Sequence, residues 1–211
     1  MVRKLIYLVR HGDIGLEKEK RYIGQSDLSL SALGREQAVL LKKIFSRVPI
    51  DNIYCSDLLR AQQTAEIIAS AHPIIPTACA ELRELHMGTW EGKSFFEIKA
   101  KYPKKFKERG EDIVNYSPPK GESFADCHKR VIPAFERLTQ SNERTILIVG
   151  HAGVNRVILC HILGIPLENV FRLEQNYGCV NLITKEGSQN RLKYFNYDNK
   201  SGSIQNGLNC S

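Results

Sequence analysis

The chain has 211 residues, with 30 Lys and Arg against 23 Asp and Glu, which gives a formal charge of +7 at pH 7. Hydrophobic residues make up 42% and charged residues 25%, a composition that is typical of globular proteins and excludes fibrous and intrinsically disordered classes. No apolar run reaches the roughly 18 residues of a membrane span, and the start of the chain lacks the apolar core of a signal peptide. We therefore expect a cytoplasmic protein without a membrane partner.

The first predicted element is an apolar strand, Leu5 to Val9, that runs directly into Arg10-His11-Gly12. An unbroken apolar run of this length is typical of a strand that is covered on both faces. A similar run from Thr145 to Val149 ends in Gly150-His151-Ala152-Gly153. Because ligands of open parallel sheets bind beyond the carboxyl ends of the strands, we expect the two histidines to face one crevice.

Helices and strands alternate between and after these two runs, which indicates an α/β fold. The second helix is expected to be capped by Ser56-Asp57, and Pro76 is expected to place its strand at a sheet edge. The predicted helices run from Leu33 to Phe45, from Leu58 to Ser70 and from His151 to Leu163, and the further strands from Asn52 to Cys55, Ile74 to Cys79, Cys179 to Thr184 and Arg191 to Tyr197, the last two as a hairpin.

The region from about 85 to 140 breaks this alternation. It contains a basic stretch, the turn Ser117 to Gly121 and a helix from Phe124 to Leu138. We interpret it as an insertion that lies over the site, within one domain of residues 1–197. Residues 198–211 are polar and rich in Gly, Ser and Asn, so we predict a loose C-terminal tail.

Several side chains have the chemistry of phosphoryl transfer. A neutral histidine is a good nucleophile near pH 7, and arginine presents paired donors to phosphate oxygens. Arg60 follows the Ser56-Asp57 cap, and a surface position on an exposed helix face is its alternative interpretation. Glu84 precedes a glycine-bracketed loop with Trp90, where a carboxyl group can act as a general acid, and an ion pair with Arg83 is the alternative.

Five segments of the chain, in this order, together resemble the histidine phosphatase superfamily, the phosphoglycerate mutase-like proteins. The resemblance covers about residues 5 to 185 and is closest to the shorter phosphatase members. The segments are Leu8-Val9-Arg10-His11-Gly12, Tyr22 to Gly34, Ser56-Asp57-Leu58-Leu59-Arg60, Leu82-Arg83-Glu84 with Trp90-Glu91-Gly92, and Val149-Gly150-His151-Ala152-Gly153.

The resemblance implies a three-layer sandwich with a mostly parallel central sheet, helices on both faces and a helical lid insertion. It also implies a covalent phosphohistidine mechanism that needs neither a metal nor another cofactor. His11 would attack phosphorus, and Glu84 would protonate the leaving oxygen and then activate water. The remaining implied site residues are Arg10, Arg60 and His151 for the phosphoryl group, and Ile23, Gly24, Gln25 and Ala152 for the substrate.

The first loop departs from the family pattern. After Arg-His-Gly the family usually has Glu or Gln, then Ser or Thr, and an Asn six residues beyond the histidine. Here Asp13, Ile14 and Glu17 stand at these places, so that a hydroxyl and an amide are missing. We expect either a weaker hold on phosphate or compensation by basic residues of the reorganised loop, namely Lys18, Lys20 or Arg21.

Much of the positive charge lies between Lys93 and Arg109, where seven basic residues stand against Glu97 and Glu108, a balance of 7 − 2 = +5. This segment is either a lid that attracts a phosphorylated substrate or a solvated helix face. A nucleic-acid partner is disfavoured because no recognition motif is present. The six cysteines form neither a CxxC pair nor a zinc-type cluster with histidine, so reduced thiols and no metal site are expected.

The expected function is hydrolysis of a small phosphorylated metabolite by a monomer or homodimer. The Tyr22 to Asp27 turn and the chain length resemble α-ribazole phosphatases, which suggests α-ribazole 5′-phosphate, while sugar phosphates, phosphoglycerates and phosphoserine stay open. A mutase, which needs a diphosphate primer, is one alternative. A non-catalytic module that binds a phosphorylated ligand is the other, and its support is the presence of Ile14 and Glu17 in place of a hydroxyl and an amide.

Overall fold

The computed structural model describes residues 3–16, 19–187 and 189–198. Of the predicted tail, all residues but Asp198 lie outside these ranges, and so do Glu17 and Lys18 of the first loop. None of the helices within these ranges has the length and apolarity that a membrane span requires. The extent of the domain and the looseness of the tail stay predictions.

A six-stranded sheet in the order β3-β2-β4-β1-β5-β6 forms the centre of the protein. Strands β3, β2, β4 and β1 are parallel, whereas β5 is antiparallel to β1 and forms a hairpin with β6. The predicted α/β fold with a mostly parallel sheet is therefore confirmed. The strands are β1 (Lys4–Arg10), β2 (Asn52–Ser56), β3 (Thr77–Cys79), β4 (Thr145–Gly150), β5 (Val180–Glu186) and β6 (Gln189–Tyr197).

Strand β3 lies at one edge of the sheet, as its proline predicts, but it is shorter than the predicted run from Ile74. Its first residue, Thr77, directly follows Pro76. Proline has no N–H to give to a neighbouring strand, so pairing with β2 begins only after it.

Helices cover both faces of the sheet and complete the predicted three-layer sandwich. Successive residues of β1 point to opposite faces, so Tyr7 packs in one apolar core and Leu8 in the other, both fully buried. The core around Tyr7 contains residues of α1 (Ala32–Phe45) and α2 (Leu59–Ala69), and the core around Leu8 contains residues of α5 (Phe124–Thr139) and α6 (Ala152–Leu163).

The segment predicted as an insertion contains two kinds of structure. Its short helices, α3 (Phe95–Lys101) and α4 (Pro103–Glu111), bury little: Ile98 is the buried residue of α3, and α4 has none. Helix α5 instead buries a full apolar stripe, including Val131 and Phe135, in the core of the sandwich. The covering part of the segment therefore lies before α5, which belongs to a helical layer.

The prediction that Ser56-Asp57 caps the second helix is wrong. Helix α2 begins at Leu59, and the backbone N–H of Leu59 donates to Oδ1 of Asp27 at 2.7 Å, from a distant turn. Asp57 instead accepts two hydrogen bonds from Arg83, at 2.6 and 2.7 Å. A bidentate, charge-assisted pair of this kind is stronger than a single cap bond, so Asp57 is drawn away from the helix end.

The loop after His11 packs tightly on the first turn of α1. A Cβ atom on Gly34 would lie 2.1 Å from the carbonyl oxygen of Asp13, and one on Gly12 would lie 2.4 Å from that of Gly34. Ser31, the N-cap of α1, donates to the Asp13 carboxylate at 2.5 Å and accepts from the N–H of Gly34. The first loop and α1 are thus joined by contacts that leave no room for a methyl group.

Replacing Gly34 by Ala is expected to lower the free energy of unfolding by about 1–3 kcal/mol, because the new methyl group overlaps backbone atoms that cannot rotate away. Urea denaturation measures the change. The matched control is Gly110→Ala in α4, where a Cβ would meet nothing within 4 Å and alanine is the better helix former. Equal stability of the two variants would contradict the tight contact.

Candidate active site

His11 and His151 follow the two central strands and lie side by side. Strands β1 and β4 are paired in the register Arg10↔Gly150, and the N–H of His11 donates to the Gly150 carbonyl at 3.1 Å. The centroids of the two imidazole rings are 5.0 Å apart. The register of the parallel sheet therefore brings both histidines to the same place.

The His11 ring has a defined orientation and charge. Its Nδ1 lies 2.7 Å from the carbonyl oxygen of Gly12, which can only accept, so Nδ1 carries the proton and Nε2 keeps its lone pair. Nε2 accepts from Nε of Arg60 at 3.3 Å. Burial, helped by the charges of Arg10 and Arg60, holds the pKa of His11 well below its usual value of 6.5. A neutral imidazole whose Nε2 keeps its lone pair can act as a nucleophile.

His151 is fully buried, and neither of its ring nitrogens has a hydrogen-bond partner among the residues that the structure describes. Burial, and then the neighbouring Arg60 charge, holds the pKa of His151 well below 6.5. Polar atoms buried without a partner are rare, and they mark places where a ligand or water completes the hydrogen bonding.

Arg60 donates a hydrogen bond to Nε2 of His11 from the first turn of α2. It is 1% exposed, so the interpretation of Arg60 as a surface residue is wrong. Its Nη1 donates to the carbonyl of Ser26 at 2.7 Å and its Nη2 to that of Gly24 at 2.8 Å. Burial lowers the pKa of Arg60, yet the guanidinium remains charged at any physiological pH.

The turn that holds Arg60 is itself held by Glu91. Oε1 of Glu91 accepts from the backbone N–H of Gln25 at 2.9 Å, and Oε2 accepts from the Ser26 hydroxyl at 3.1 Å. Gly24 has φ +55° in this turn, and a Cβ on it would lie 2.4 Å from the Glu91 carboxylate. Sequence reasoning quoted Glu91 in the Trp90-Glu91-Gly92 motif but assigned it no role.

Arg10 is the last residue of β1 and directly precedes His11. Its guanidinium carbon is 3.6 Å from the centroid of the Tyr177 ring, and its Nη1 donates to the Gln175 carbonyl at 2.6 Å. The Nε atom of Arg10 is buried and has no hydrogen-bond partner in the described part of the chain. Tyr177, whose ring is 5.6 Å from that of His11, was missed by the sequence analysis, because no motif marks it.

The Glu84 carboxylate reaches the first turn of α6. Its Oε2 accepts from the N–H of Gly153 at 3.1 Å, and its Oε1 accepts from that of Leu85 at 2.9 Å. A Cβ on Gly153 would lie 2.5 Å from this carboxylate, so the approach requires glycine. The alternative ion pair with Arg83 is wrong, because the Arg83 guanidinium is bonded to Asp57.

One cavity of about 410 Å³ joins most of these groups. Gln25 is not among its lining residues, and its side-chain amide donates instead to the Glu84 carbonyl at 3.0 Å. His151 does not line the cavity either, although it packs against His11. The predicted site residues in the wall are Arg10, His11, Ile23, Gly24, Arg60, Glu84 and Ala152.

The rest of the cavity wall is aromatic, apolar and cationic. Tyr22 and Phe95 are stacked with ring centroids 4.2 Å apart, and Phe171 is 55% exposed at the cavity. The sequence analysis missed most of the lining residues, which come from loops and from separate elements. The aromatic ones are Tyr22, Phe95, Phe124, Phe171 and Tyr177, and the additional cations are Arg21, Arg109 and Arg156.

The altered first loop contributes an apolar side chain, Ile14, where the family has a hydroxyl. Of the basic residues expected to compensate, Arg21 lines the cavity, but its guanidinium donates to Glu19 at 2.7 Å and to the Gly92 carbonyl at 2.8 Å. Lys20 does not line the cavity, and Lys18 lies outside the described residues. Ile14 thus adds to the apolar part of the cavity wall.

Two further sequence expectations concern charge and metals. Of the seven basic residues between Lys93 and Arg109, only Arg109 lines the cavity, and those at 99, 101, 104, 105 and 107 are exposed. Within the described ranges, no group of three or more His, Cys, Asp or Glu side chains is suited to hold a metal ion. The cysteines at 55, 79, 127, 160 and 179 are buried and lie outside any disulfide.

The family model described as "Histidine phosphatase superfamily (branch 1)" matches residues 6–198. Phosphoserine phosphatase 1 of Hydrogenobacter thermophilus is 33% identical over 84% of this chain and 82% of its own. Glucosyl-3-phosphoglycerate phosphatase of Mycolicibacterium vanbaalenii is 33% identical over 80% of this chain and 77% of its own. The crystal structure of the α-ribazole phosphatase from Shigella flexneri matches with a TM-score of 0.85 and 28% identity, over 92% of this chain and 96% of that one.

Acid is expected to destabilise the protein through the two site histidines. Both have a pKa well below 6.5 when folded, whereas the unfolded chain takes up protons near pH 6.5. The free energy of unfolding therefore falls as the pH drops below that value, by up to about 1.4 kcal/mol per pH unit for each histidine. Denaturant titrations between about pH 5 and pH 8 measure this slope. The slope of the free energy of unfolding against pH is expected to be shallower in His151→Asn than in the wild-type protein. Equal slopes in the two proteins would contradict a neutral, buried His151.

Proposed function

The chain belongs to branch 1 of the histidine phosphatase superfamily and is a phosphatase for small phosphorylated substrates, and from this premise we propose that His11 is its nucleophile. The observation that carries the proposal is a set of buried donors without partners around the His11 ring. Nε of Arg10 and the ring nitrogens of His151 lack partners among the described residues, and each such group costs about 1–3 kcal/mol. The oxygens of a phosphoryl group bound at Nε2 of His11 would accept from Nε of Arg10 and from the one N–H that the neutral His151 ring carries.

Arg60 has donors left for the same group. A guanidinium carries five N–H bonds. Three of those on Arg60 are directed at the Gly24 and Ser26 carbonyls and at His11, which leaves two for phosphoryl oxygens. The carbonyl contacts fix the plane of the guanidinium, and this orientation supports in-line attack by Nε2, because phosphoryl transfer depends on positioning and on charge.

The proposed reaction has two steps. Nε2 of His11 bonds to phosphorus as the ester P–O bond breaks, and Glu84 gives a proton to the leaving oxygen. Water then attacks the phosphohistidine, Glu84 takes a proton from it, and the P–N bond breaks to release phosphate. The position of the Glu84 carboxylate at the first turn of α6, next to His151, supports its role in both steps.

The aromatic wall supports a leaving group with a flat apolar part. The stacked Tyr22 and Phe95 rings and the exposed Phe171 ring offer planar surfaces beyond the phosphoryl site. α-Ribazole carries a flat aromatic base, and the α-ribazole phosphatase of Shigella flexneri shares the fold at 28% identity. We therefore propose α-ribazole 5′-phosphate as a substrate.

A second substrate class is favoured by Arg109. This side chain lines the cavity, is partly buried and has no carboxylate partner among the described residues. Its guanidinium carbon lies 5.5 Å from the centroid of the Tyr22 ring. A partly buried cation without a carboxylate partner can bind a second anionic group of the substrate. It therefore favours a phosphate ester with a further acidic group, such as phosphoserine or a phosphoglycerate.

Replacing His11 by Ala is expected to abolish turnover, because it removes the proposed acceptor of the phosphoryl group. Glu84→Gln is expected to slow turnover about 10²- to 10⁴-fold and to let phosphohistidine accumulate. Phosphate release from p-nitrophenyl phosphate, α-ribazole 5′-phosphate, phosphoserine and 3-phosphoglycerate, with EDTA present, measures both. His161→Ala is the control, since His161 is half-exposed on α6 and outside the cavity.

Normal turnover by His11→Ala would rule out this mechanism. Two alternatives have their own signatures in the same assay. A mutase would show exchange between phosphoglycerates that depends on 2,3-bisphosphoglycerate. A binding module would retain phosphate esters without releasing phosphate, but the phosphatase names of the relatives favour catalysis.

Replacing Arg109 by Gln is expected to raise KM for phosphoserine and 3-phosphoglycerate about tenfold or more, because a charge-assisted hydrogen bond is lost. KM for p-nitrophenyl phosphate and α-ribazole 5′-phosphate stays unchanged, since neither has a second acidic group. Lys105→Gln is the matched control on the exposed face of α4. An equal rise of KM for all four esters would argue against a second anion site at Arg109.

A further inference from the structure

A largely buried ion pair lies next to the loop that carries Glu84. Arg130, on α5, donates from Nε to Oε1 of Glu122 at 2.7 Å and from Nη2 to Oε2 at 2.8 Å. The two side chains are 24% and 15% exposed. Neither residue lines the cavity, so the pair has no direct contact with a substrate there.

The same pair holds the backbone on both sides of Glu84. On one side, Nη1 of Arg130 donates to the carbonyl of Glu81 at 2.7 Å and to that of Arg83 at 3.1 Å. On the other side, Oε2 of Glu122 accepts from the N–H of His86 at 3.0 Å. The loop from 81 to 86 is therefore attached to the start of α5 by hydrogen bonds that bracket Glu84.

The Glu84 carboxylate depends on this attachment, because no side chain within the described ranges donates to it. Its two hydrogen bonds come from the backbone N–H groups of Leu85 and Gly153. The side chain can keep its place only if the loop backbone keeps its place. A shift of about 1 Å in a catalytic group can lower the rate about 10²-fold. Movement of the loop from 81 to 86 would therefore slow the proposed reaction.

We propose that Arg130 and Glu122 are a positioning pair for the general acid Glu84, an inference that rests on the proposed function. Stability alone does not account for the pair, since apolar residues of similar volume often replace a buried ion pair without loss of stability. The bonds to the flanking backbone atoms, which apolar side chains cannot make, account for it. The pair acts on the proton donor and leaves the nucleophile His11 untouched.

The test compares two substrates of nearly the same shape. The p-nitrophenolate ion is a good leaving group and leaves without being protonated, whereas the more basic phenolate ion depends more on protonation as it leaves. The ratio of kcat/KM for p-nitrophenyl phosphate to kcat/KM for phenyl phosphate therefore reports on general acid catalysis. Arg130→Gln and Glu122→Gln are expected to raise this ratio about tenfold or more. Arg130→Lys keeps the positive charge but loses the paired N–H donors of the guanidinium, and this variant is expected to raise the ratio less.

Arg137→Gln is the matched control. Arg137 lies on the same helix and donates to the Glu81 side chain at 2.9 Å, but this pair is exposed and does not reach the backbone. The ratio stays unchanged in this variant, even where the loss of an ion pair lowers the melting temperature. All assays are run well below the melting temperature of each variant, and Glu122→Gln and Arg130→Lys carry the test if Arg130→Gln does not fold.

Glu84→Gln, measured in parallel, separates the two possible failures. If the ratio rises in Glu84→Gln but stays at the wild-type value in the Arg130 and Glu122 variants, the positioning role is wrong and the proposed function stands. If the ratio does not rise in Glu84→Gln, Glu84 is not the general acid, and the proposal for the pair fails with it. A proportional loss of activity on both esters in the Arg130 and Glu122 variants would also overturn the positioning role.

Discussion

The parallel pairing of β1 with β4 is the constraint on which the site depends. A shift of either strand by one residue would turn its apolar side chains from one core to the other, so the two packed layers fix the register. That register sets Arg10 beside Gly150 and therefore His11 beside His151. The hydrophobic core of the sandwich therefore positions the backbone of both His11 and His151.

Positive charge that lacks internal partners is the second property of the site. Arg10 and Arg60 are bonded to backbone carbonyls instead of carboxylates, and Arg109 has no carboxylate partner within the described ranges. Carbonyl oxygens orient a guanidinium without cancelling its charge, so its attraction for a phosphate remains. Burial, together with the charges of Arg10 and Arg60, holds the pKa of His11 well below 6.5 and keeps its ring neutral. One arrangement therefore provides both the unpaired positive charge and the neutral form of His11 on which the proposed mechanism depends.

The sequence predicts those parts of the fold and the site that local patterns encode. The strands before His11 and His151, the α/β class and the edge position of β3 follow from apolar runs and from Pro76. The α2 cap from Asp27 and the roles of Glu91, Tyr177 and Arg130 could not be predicted. Each of these residues acts on a partner more than 25 positions away or on a backbone atom, and no periodicity marks such a contact.

The packing of Gly12 on Gly34 limits the ways in which the cavity can widen to admit a substrate or to release a product. There is no space for even a methyl group between the first loop and α1. The part of the cavity wall that the first loop forms therefore cannot move outward unless α1 moves with it. The opposite wall includes Phe95 of α3 and Arg109 of α4, two short helices with little buried surface. Widening of the mouth to admit an ester or to let phosphate diffuse away is therefore least costly on that side.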